Sequence, residues 1–327
     1  MAGPKDALRG RLIAVMGGSG FLGQYVVQEL LRAGARVRIA ARDPQRAYEL
    51  KPMANLGQLQ LARVDANDQR SLQRAIDGTD GVINLIGTFT GNLARVMGEA
   101  AGWMAEAAAK SGAQAFVHVS ALVGADEAVA GGGVDDDDRR INGYAAAKAL
   151  GEARVRAAFP NATIVRPSIL FGEDDNFLNM FAGLIQRLPV LPVFGPDAQL
   201  QPAYVDDVAQ ALVLALADPG RHGGTIFELG GPDRLTMLAI NRRIAEAQRR
   251  RRTFLPMPDA VSNVFAILPG TPMSPDQWDL LRRGNVVSGR HAGFAAFDIA
   301  PRPLDLFLDR WMVRYRKHGR FAERLSG

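Results

Sequence analysis

Apolar positions in the first half of the chain form short unbroken runs, and between the runs they recur at three- and four-residue intervals. The runs near 11–16, 36–41, 58–64, 80–86, 114–119 and 162–166 read as strands. Between them the spacing is helical: Phe21, Leu22, Val26, Val27, Leu30 and Leu31 follow the first run, and the longest helices are expected near 92–111 and 142–158. Strand and helix in strict alternation predict a parallel sheet with right-handed crossovers, so the fold class is α/β, doubly wound.

After residue 167 the pattern changes. "FLNMFAGLIQRL" is an amphipathic helix, "LPVFG" a short strand, "YVDDVAQALVLALAD" a helix, "TIFELGG" a strand and "LTMLAINRRIAEAQ" a helix. This reads as a smaller mixed lobe, so the expected division is 1–170 and 171–327, with the chain crossing back to the sheet near 199–230. Five prolines from Pro256 to Pro275 deny the next stretch a continuous helix. Its Leu255, Met257, Val261, Val264, Phe265, Ile267 and Leu268 are too many to leave in water, and they are expected to face the core, a partner or a lipid surface.

The glycines of "RLIAVMGGSGFLG" turn this architecture into a candidate site. Gly17 lets the chain turn sharply out of the first strand, Gly20 leaves room for a pyrophosphate against bare backbone, and Gly23 lets the following helix pack close to the sheet. The helix then points its free N–H groups at the phosphates. Three spaced glycines alone are common punctuation, but here an apolar strand precedes them and a periodic helix follows. The expected ligand is a dinucleotide.

Which dinucleotide depends on the end of the second strand. An NAD site places an acidic side chain there for the ribose hydroxyls, whereas this chain has Ala40, Ala41 and Arg42, with Asp43 one step later. Arg42 is permanently charged and able to fork onto a phosphate, which suits NADP(H); Asp43 turned inward as a ribose acceptor is the competing arrangement. Ligands of such sheets sit outside the carboxyl ends of the strands. "VDANDQ" therefore offers Asp65 toward an adenine, with a helix cap as its alternative role, and "VINLIGTF" offers Asn84 to Gly87 as a loop of close approach.

Chemistry enters with three residues. Ser120 closes the fifth strand, and "NGYAAAKALGE" sets Tyr144 four positions before Lys148, on one face of a helix. The ammonium is expected to lower the Tyr144 pKa, the phenol to pass a proton to or from a substrate oxygen, and Ser120 to hold that oxygen.

Composition removes several alternatives. At 327 residues and 47% hydrophobic content the chain can bury a large core, and with no cysteine it has no disulfide and no cysteine-held zinc or iron–sulfur centre. The net charge is +5, concentrated in Arg249–Arg252 and in "DRWMVRYRKHGRFAERL" with Arg310, Arg314, Arg316, Lys317, Arg320 and Arg324. Such patches suit acidic protein surfaces or anionic lipid headgroups, or are solvated helix faces; no nucleic acid is expected. The four aspartates Asp135–Asp138 sit in a Gly-rich loop without supporting ligands, so no metal site is assigned. No stretch reaches ~20 uninterrupted apolar residues, so no transmembrane helix is expected, and with about ten residues before the first strand no targeting leader is expected either.

Gly17-x-x-Gly20-x-x-Gly23, Ser120, Tyr144 and Lys148 together resemble the extended and atypical short-chain dehydrogenase/reductase superfamily, with "RPSILFG" and "YVDDVAQAL" similar to its later landmarks. The likeness covers about 1–235. Less generic pieces, "LGQLQLARVDANDQRSLQRAIDGTDGVINLIG", "KALGEARVRAAFPNATIVRPSILFGEDDNFLNMFA" and "FLPMPDAVSNVFAILPGTPMSPDQW", look like the nucleotide-binding accessory subunit of respiratory complex I, the alpha-subcomplex subunit nine family and its bacterial relatives.

That resemblance implies NADPH bound tightly near the junction of the hydrophilic arm with the membrane, as a structural or redox-sensing cofactor with no turnover by the subunit. It implies partners among the other complex I subunits, and a peripheral place on the cytoplasmic side of a bacterial inner membrane, or the matrix side of a processed mitochondrial protein. Tyr144 and Lys148 remain in register, so a free NADP-dependent reductase, epimerase or dehydratase is the competing reading, and a redox-sensing regulator a third. The cofactor surface drawn from these readings comprises Gly17, Ser19, Gly20, Phe21, Leu22, Gly23, Arg42, Asp65, Ala66, Leu85, Ile86, Gly87, Tyr144, Lys148, Pro167 and Ile169.

Overall fold

A computed structural model describes residues 4–122, 143–267 and 275–317. The described residues divide into two compact units, one of Met1–Pro167, Val205–Leu229 and Ser288–Ala300, the other of Ser168–Tyr204, Gly230–Val287 and Pro301–Gly327.

The first unit holds a seven-stranded sheet: β1 (Leu12–Met16), β2 (Arg36–Ala41), β3 (Leu59–Arg63), β4 (Gly81–Asn84), β5 (Ala115–Val119), β6 (Thr163–Pro167) and β7 (Ile226–Leu229). Their order is β7-β6-β5-β4-β1-β2-β3 and every pair is parallel. The doubly wound expectation holds, and each of the six strands expected in the first half is present. β1, β4, β5 and β6 are buried along their whole length, because helices cover both faces of the sheet.

One face carries α1 (Phe21–Arg32) and α5 (Val205–Ala217), which pack on each other. The other carries α2 (Gln69–Ile76), α3 (Ala100–Lys110) and α4 (Gly143–Ala158) over a core that includes Met16, Val82, Phe116, Val155 and Ile164. The helix expected over 92–111 is not uniform. It enters through a π-helical turn, Ala94–Glu99, a wider coil that continues into α3.

Register decides what the carboxyl edge presents. Met16 lies opposite Ala40 on β2 and Asn84 on β4, Asn84 opposite His118 on β5, and Val119 opposite Val165 on β6. Gly17, Leu85 and Ser120, directly past these positions, and Arg42, directly past the end of β2, therefore leave the sheet along one edge. Asp65 joins them two residues beyond the end of β3.

The second unit packs helices Asn176–Arg187, Met237–Ala247 and Asp305–Trp311 around Phe171, Leu178, Ile185, Ile240, Ile244, Leu308 and Trp311, with three two-stranded sheets. Asp175 and Thr236 cap the first two helices by accepting N–H groups of Leu178 and Ala239. The proline-rich stretch breaks into a strand, Thr253–Pro256, and helices Asp259–Ile267 and Pro275–Arg283. Leu255 and Val261 are exposed there, while the side chains of Val264, Ile267 and Leu268 lie outside the described residues, as do Asp135–Asp138, Arg320 and Arg324. Two arginines of the basic run serve the fold itself. Arg250 donates to the carbonyl of Tyr315, and Arg252 to that of Ile185. No helix among the described residues is long and apolar enough to cross a membrane.

Candidate functional site

The glycine turn is built by close approach. Gly17 has φ +83°, a conformation that favours glycine, and its N–H donates to Ala40 O at 2.7 Å, which ties the turn to β2. A Cβ on Gly23 would lie 2.6 Å from Gly17 O, so α1 can start against the turn only without a side chain there. Gly18, which the spacing argument passed over, is nearly as tight: its Cβ would stand 3.0 Å from Val15 O and 3.1 Å from the Ile39 side chain. Gly20 is exposed, and Ser19, Phe21 and Leu22 beside it are half-buried. Gly20 occupies the N-cap of α1, no side chain caps that helix and no acidic residue stands in its first turn. An uncapped, acid-free helix start behind an exposed glycine suits an anion.

The β2–β3 end of this edge is open to water. Arg42 is exposed at the end of β2, as are Asp43 and Asp65, while Ala66 is buried. Asp65 accepts both the backbone N–H of Asn67 at 2.9 Å and its side-chain amide at 3.0 Å, and these bonds hold its carboxyl below the usual range, with smaller help from Arg42 and Arg95. The cap of α2 is Asp68, which accepts the N–H of Arg70. Asp65 is thus left turned in a local loop. Arg95, absent from the sequence reading, reaches the same loop and donates to Asn67 O at 3.1 Å.

The other end is closed. The Gly17 turn packs on the Leu85–Ile86 backbone, since a Cβ there would meet Ile86 N and Leu85 C at 3.3 Å. Asn84 below it is buried, donates its side-chain amide toward His118 Nδ1 at 3.0 Å and accepts the Ile86 N–H at 3.0 Å. A Cβ on Gly87 would lie 3.8 Å from Lys148 Nζ. Lys148 itself is buried and donates to Val119 O at 3.0 Å, directly before Ser120. Among the described residues the buried Ser120 hydroxyl has no hydrogen-bond partner, an orphaned polar oxygen at the carboxyl end of β5. Its N–H is held by Val165 O at 2.8 Å.

Tyr144 stands one helical turn before Lys148 and stacks on Phe89, ring centroids 4.5 Å apart and planes 12° from parallel. The sequence reading expected Lys148 to lower the phenol pKa. Burial dominates instead: Tyr144 is pushed up to about 12, and Lys148 is pushed down to about 8 with only partial relief from Glu152. His118, unflagged by any motif, is driven by burial and by Lys148 down to about 3, so its imidazole is neutral.

Behind these residues lies a buried ionic ladder that motif reading also missed. Arg166 on β6 grips Glu152 with two bonds, Nε to Oε1 at 2.9 Å and Nη2 to Oε2 at 2.7 Å. Its Nη1 stands 4.0 Å from Glu228 on β7 and 3.4 Å from His291 Nε2. The ladder's signal in the sequence was an arginine in "TIVRP" and a glutamate in "TIFEL", charges inside apolar strand runs where burial demands a partner. Of the remaining expected cofactor residues, Pro167 is buried at the end of β6, and Ile169, half-buried in the second unit, has its N–H held by Asn285 Oδ1.

Comparison with known proteins agrees with this geometry. Residues 13–230 match the NAD dependent epimerase/dehydratase family. The mitochondrial NADH dehydrogenase (ubiquinone) 1 alpha subcomplex subunit 9 of Mus musculus is 32% identical over 329 residues, spanning 97% of this chain and 83% of that protein. The chain belongs to the NAD dependent epimerase/dehydratase family, in its alpha subcomplex subunit 9 branch. A ceramide reductase of Caulobacter vibrioides is 31% identical over 213 residues, 64% of this chain and 62% of that protein. The UDP-glucose 4-epimerase of Thermus thermophilus, solved in complex with NAD, shares the fold with a TM-score of 0.66 at 19% identity, covering 94% of this chain and 99% of that one. The exposed Gly20, the uncapped start of α1 and the orphaned Ser120 hydroxyl fit the nicotinamide dinucleotide that such a family implies.

Proposed function

We propose that the chain is an NADP(H)-binding accessory subunit of a membrane-associated NADH:quinone oxidoreductase, and that it keeps its dinucleotide as a structural or redox-sensing group. The observation that carries this is the end-to-end likeness to a mitochondrial complex I subunit, 97% of the chain, well beyond the dinucleotide-binding half alone. The state of Tyr144 supports it. A phenol pushed up to about 12 is poorly matched to proton transfer near neutral pH, where an effective acid has a pKa close to the operating value.

In this reading the Gly17–Gly23 turn and the start of α1 hold the pyrophosphate, Arg42 the 2′-phosphate, and Tyr144 with Lys148 the nicotinamide ribose. When bound, the dinucleotide supplies a hydride donor or acceptor; the protein's part is to orient it and exclude water. Other complex I subunits are the expected partners, and the exposed Arg251, Arg310 and Lys317 are cations available to acidic protein surfaces or anionic headgroups. The decisive experiment is copurification from solubilised membranes with NADH:quinone oxidoreductase activity, with extraction and identification of the bound dinucleotide. Tyr144→Phe should leave the complex, its quinone reductase activity and most of its cofactor in place.

The second reading, a free NADP-dependent reductase, epimerase or dehydratase, is favoured by the orphaned Ser120 hydroxyl, which is placed to hold a substrate oxygen while Tyr144 moves its proton. Oxidation of NADPH by the isolated chain with a carbonyl or sugar substrate at ordinary enzyme rates, abolished in Tyr144→Phe, would establish that reading in place of the first.

A further inference from the structure

We propose that Glu152, pinned from behind by Arg166, is the positioning residue of the Tyr144–Lys148 pair: it keeps the enclosed Lys148 amine in its ammonium form and so makes dinucleotide affinity depend on pH. The dependence on dinucleotide rests on the reading of Lys148 as a ribose ligand. The control of Lys148 by Glu152 does not.

The geometry carries the argument. Glu152 follows Lys148 by four residues, so the two share one face of α4, the face turned to the sheet. The helix also sits unusually close to the turn that precedes α3. A Cβ on Gly151 would lie 2.4 Å from Met97 O, so α4 can seat against the π-helical turn only with glycine there. Lys148 and Glu152 are 3% and 4% exposed. A buried ammonium with one carbonyl contact, Val119 O, is held charged only by a nearby anion.

The groups around the amine can be named. Tyr144 and Glu152 share its helix, and His118 faces it from β5. His118 is neutral and Tyr144 keeps its proton, so Glu152 is the anion among them. Around Glu152, Arg166 comes from β6, with Glu228 on β7 and His291 beyond it. Arg166 fixes the Glu152 carboxylate by two parallel bonds, which removes its rotameric freedom. Glu228 in turn takes up the remaining charge of Arg166 and is itself held by the backbone N–H and hydroxyl of Ser288, at 2.6 and 2.8 Å. Arg166 thus lies between the carboxylates of Glu152 and Glu228, with Lys148 enclosed one turn before Glu152 on α4, and removing the Glu152 carboxylate leaves the uncompensated charge to be shared by Lys148 and Arg166. Guanidinium does not give up its proton, so the amine yields.

The chain has five lysines, Lys5, Lys51, Lys110, Lys148 and Lys317, so lysine-labelled protein gives an NMR spectrum simple enough to follow one side chain. Lys148→Arg assigns its signal. In the cofactor-free wild type Lys148 should titrate near pH 8. In Glu152→Gln its midpoint should fall by about one pH unit or more, and in Glu152→Asp, which retracts the charge by one methylene, by less. An unchanged midpoint in folded Glu152→Gln overturns the proposal. If Glu152→Gln does not fold, Glu152→Asp decides: its midpoint must still fall below that of the wild type. NADPH affinity measured across pH 6–9 is the second readout. The loss of affinity at high pH should begin at lower pH in Glu152→Gln, and the variant should make no difference to the profile in a Lys148→Met background. Absence of NADPH binding by the wild type at every pH would remove the dinucleotide reading and leave the Lys148 titration standing as its own result.

Discussion

The two ends of the sheet's carboxyl edge handle charge in opposite ways. At the β2–β3 end Arg42, Asp43 and Asp65 stand in water, and the carboxylate of Asp65 is shaped by hydrogen bonds from Asn67. At the β5–β7 end Lys148, Glu152, Arg166 and Glu228 are buried, out of water. Exposed charges are screened, so the first end adds little to the fold. The second end is costly to assemble and costly to disturb, because each ion depends on its neighbour. Solvated and buried charge are thus placed at different ends of the same edge.

The sharpest way to break this comparison is Arg166→Met. It leaves Glu152 and Glu228 enclosed without their cation and should cost about 3–5 kcal/mol in urea unfolding. A loss no greater than that of an exposed substitution would mean that the ladder is dispensable.

The next effect is set by pH. His118 is held down to about 3 by burial and by Lys148, from an ordinary value of 6.5. Between those values the unfolded chain binds a proton that the folded chain does not, so stability is lost as pH falls through this window, by a few kcal/mol at about pH 3. His118→Gln should flatten that acid limb of the unfolding profile, and an identical limb would assign the acid sensitivity elsewhere.

Gly23→Ala should cost about 2–3 kcal/mol by calorimetry and weaken cofactor retention, because the new methyl meets backbone atoms of Gly17 and Gly18 that cannot yield like a side chain. Arg42→Ala acts on the ligand alone. It should weaken NADP(H) by ~1.5–3 kcal/mol in titration calorimetry and leave NAD(H) affinity and thermal stability nearly unchanged. Equal wild-type affinity for the two dinucleotides would remove the role given to Arg42. The smallest effect is expected from Asp65→Asn, whose unfolding free energy should stay within about 0.5 kcal/mol of wild type.

What was legible in the sequence follows the range of the interactions involved. Hydrophobic runs and helical spacing are local, and the six strands of the first half, the glycine turn and the helix carrying Tyr144 and Lys148 were all read from them. The glycine turn was legible because steric demands at Gly17 and Gly23 act over six residues. The π-helical turn at Ala94–Glu99 was not, because the wider coil leaves apolar spacing nearly intact. The direction of the Tyr144 shift was misread for a related reason. Spacing on a helix reports that Lys148 is near, but how much water each group loses depends on Phe89 and the sheet.

By itself, then, the sequence determined the α/β order, the glycine turn after β1 and the residue types at each strand end, since these rest on backbone sterics and on burial patterns a few residues long. Only the tertiary structure decided the Glu152–Arg166–Glu228 ladder, the pairing of Asn84 with His118 and the enclosure of Lys148. Those partners come from different strands and helices: Arg166 lies 14 residues from Glu152, and Asn84 lies 34 from His118. A charge buried among them has its energy set by neighbours that no local pattern names, because only packing fixes which groups exclude water from it.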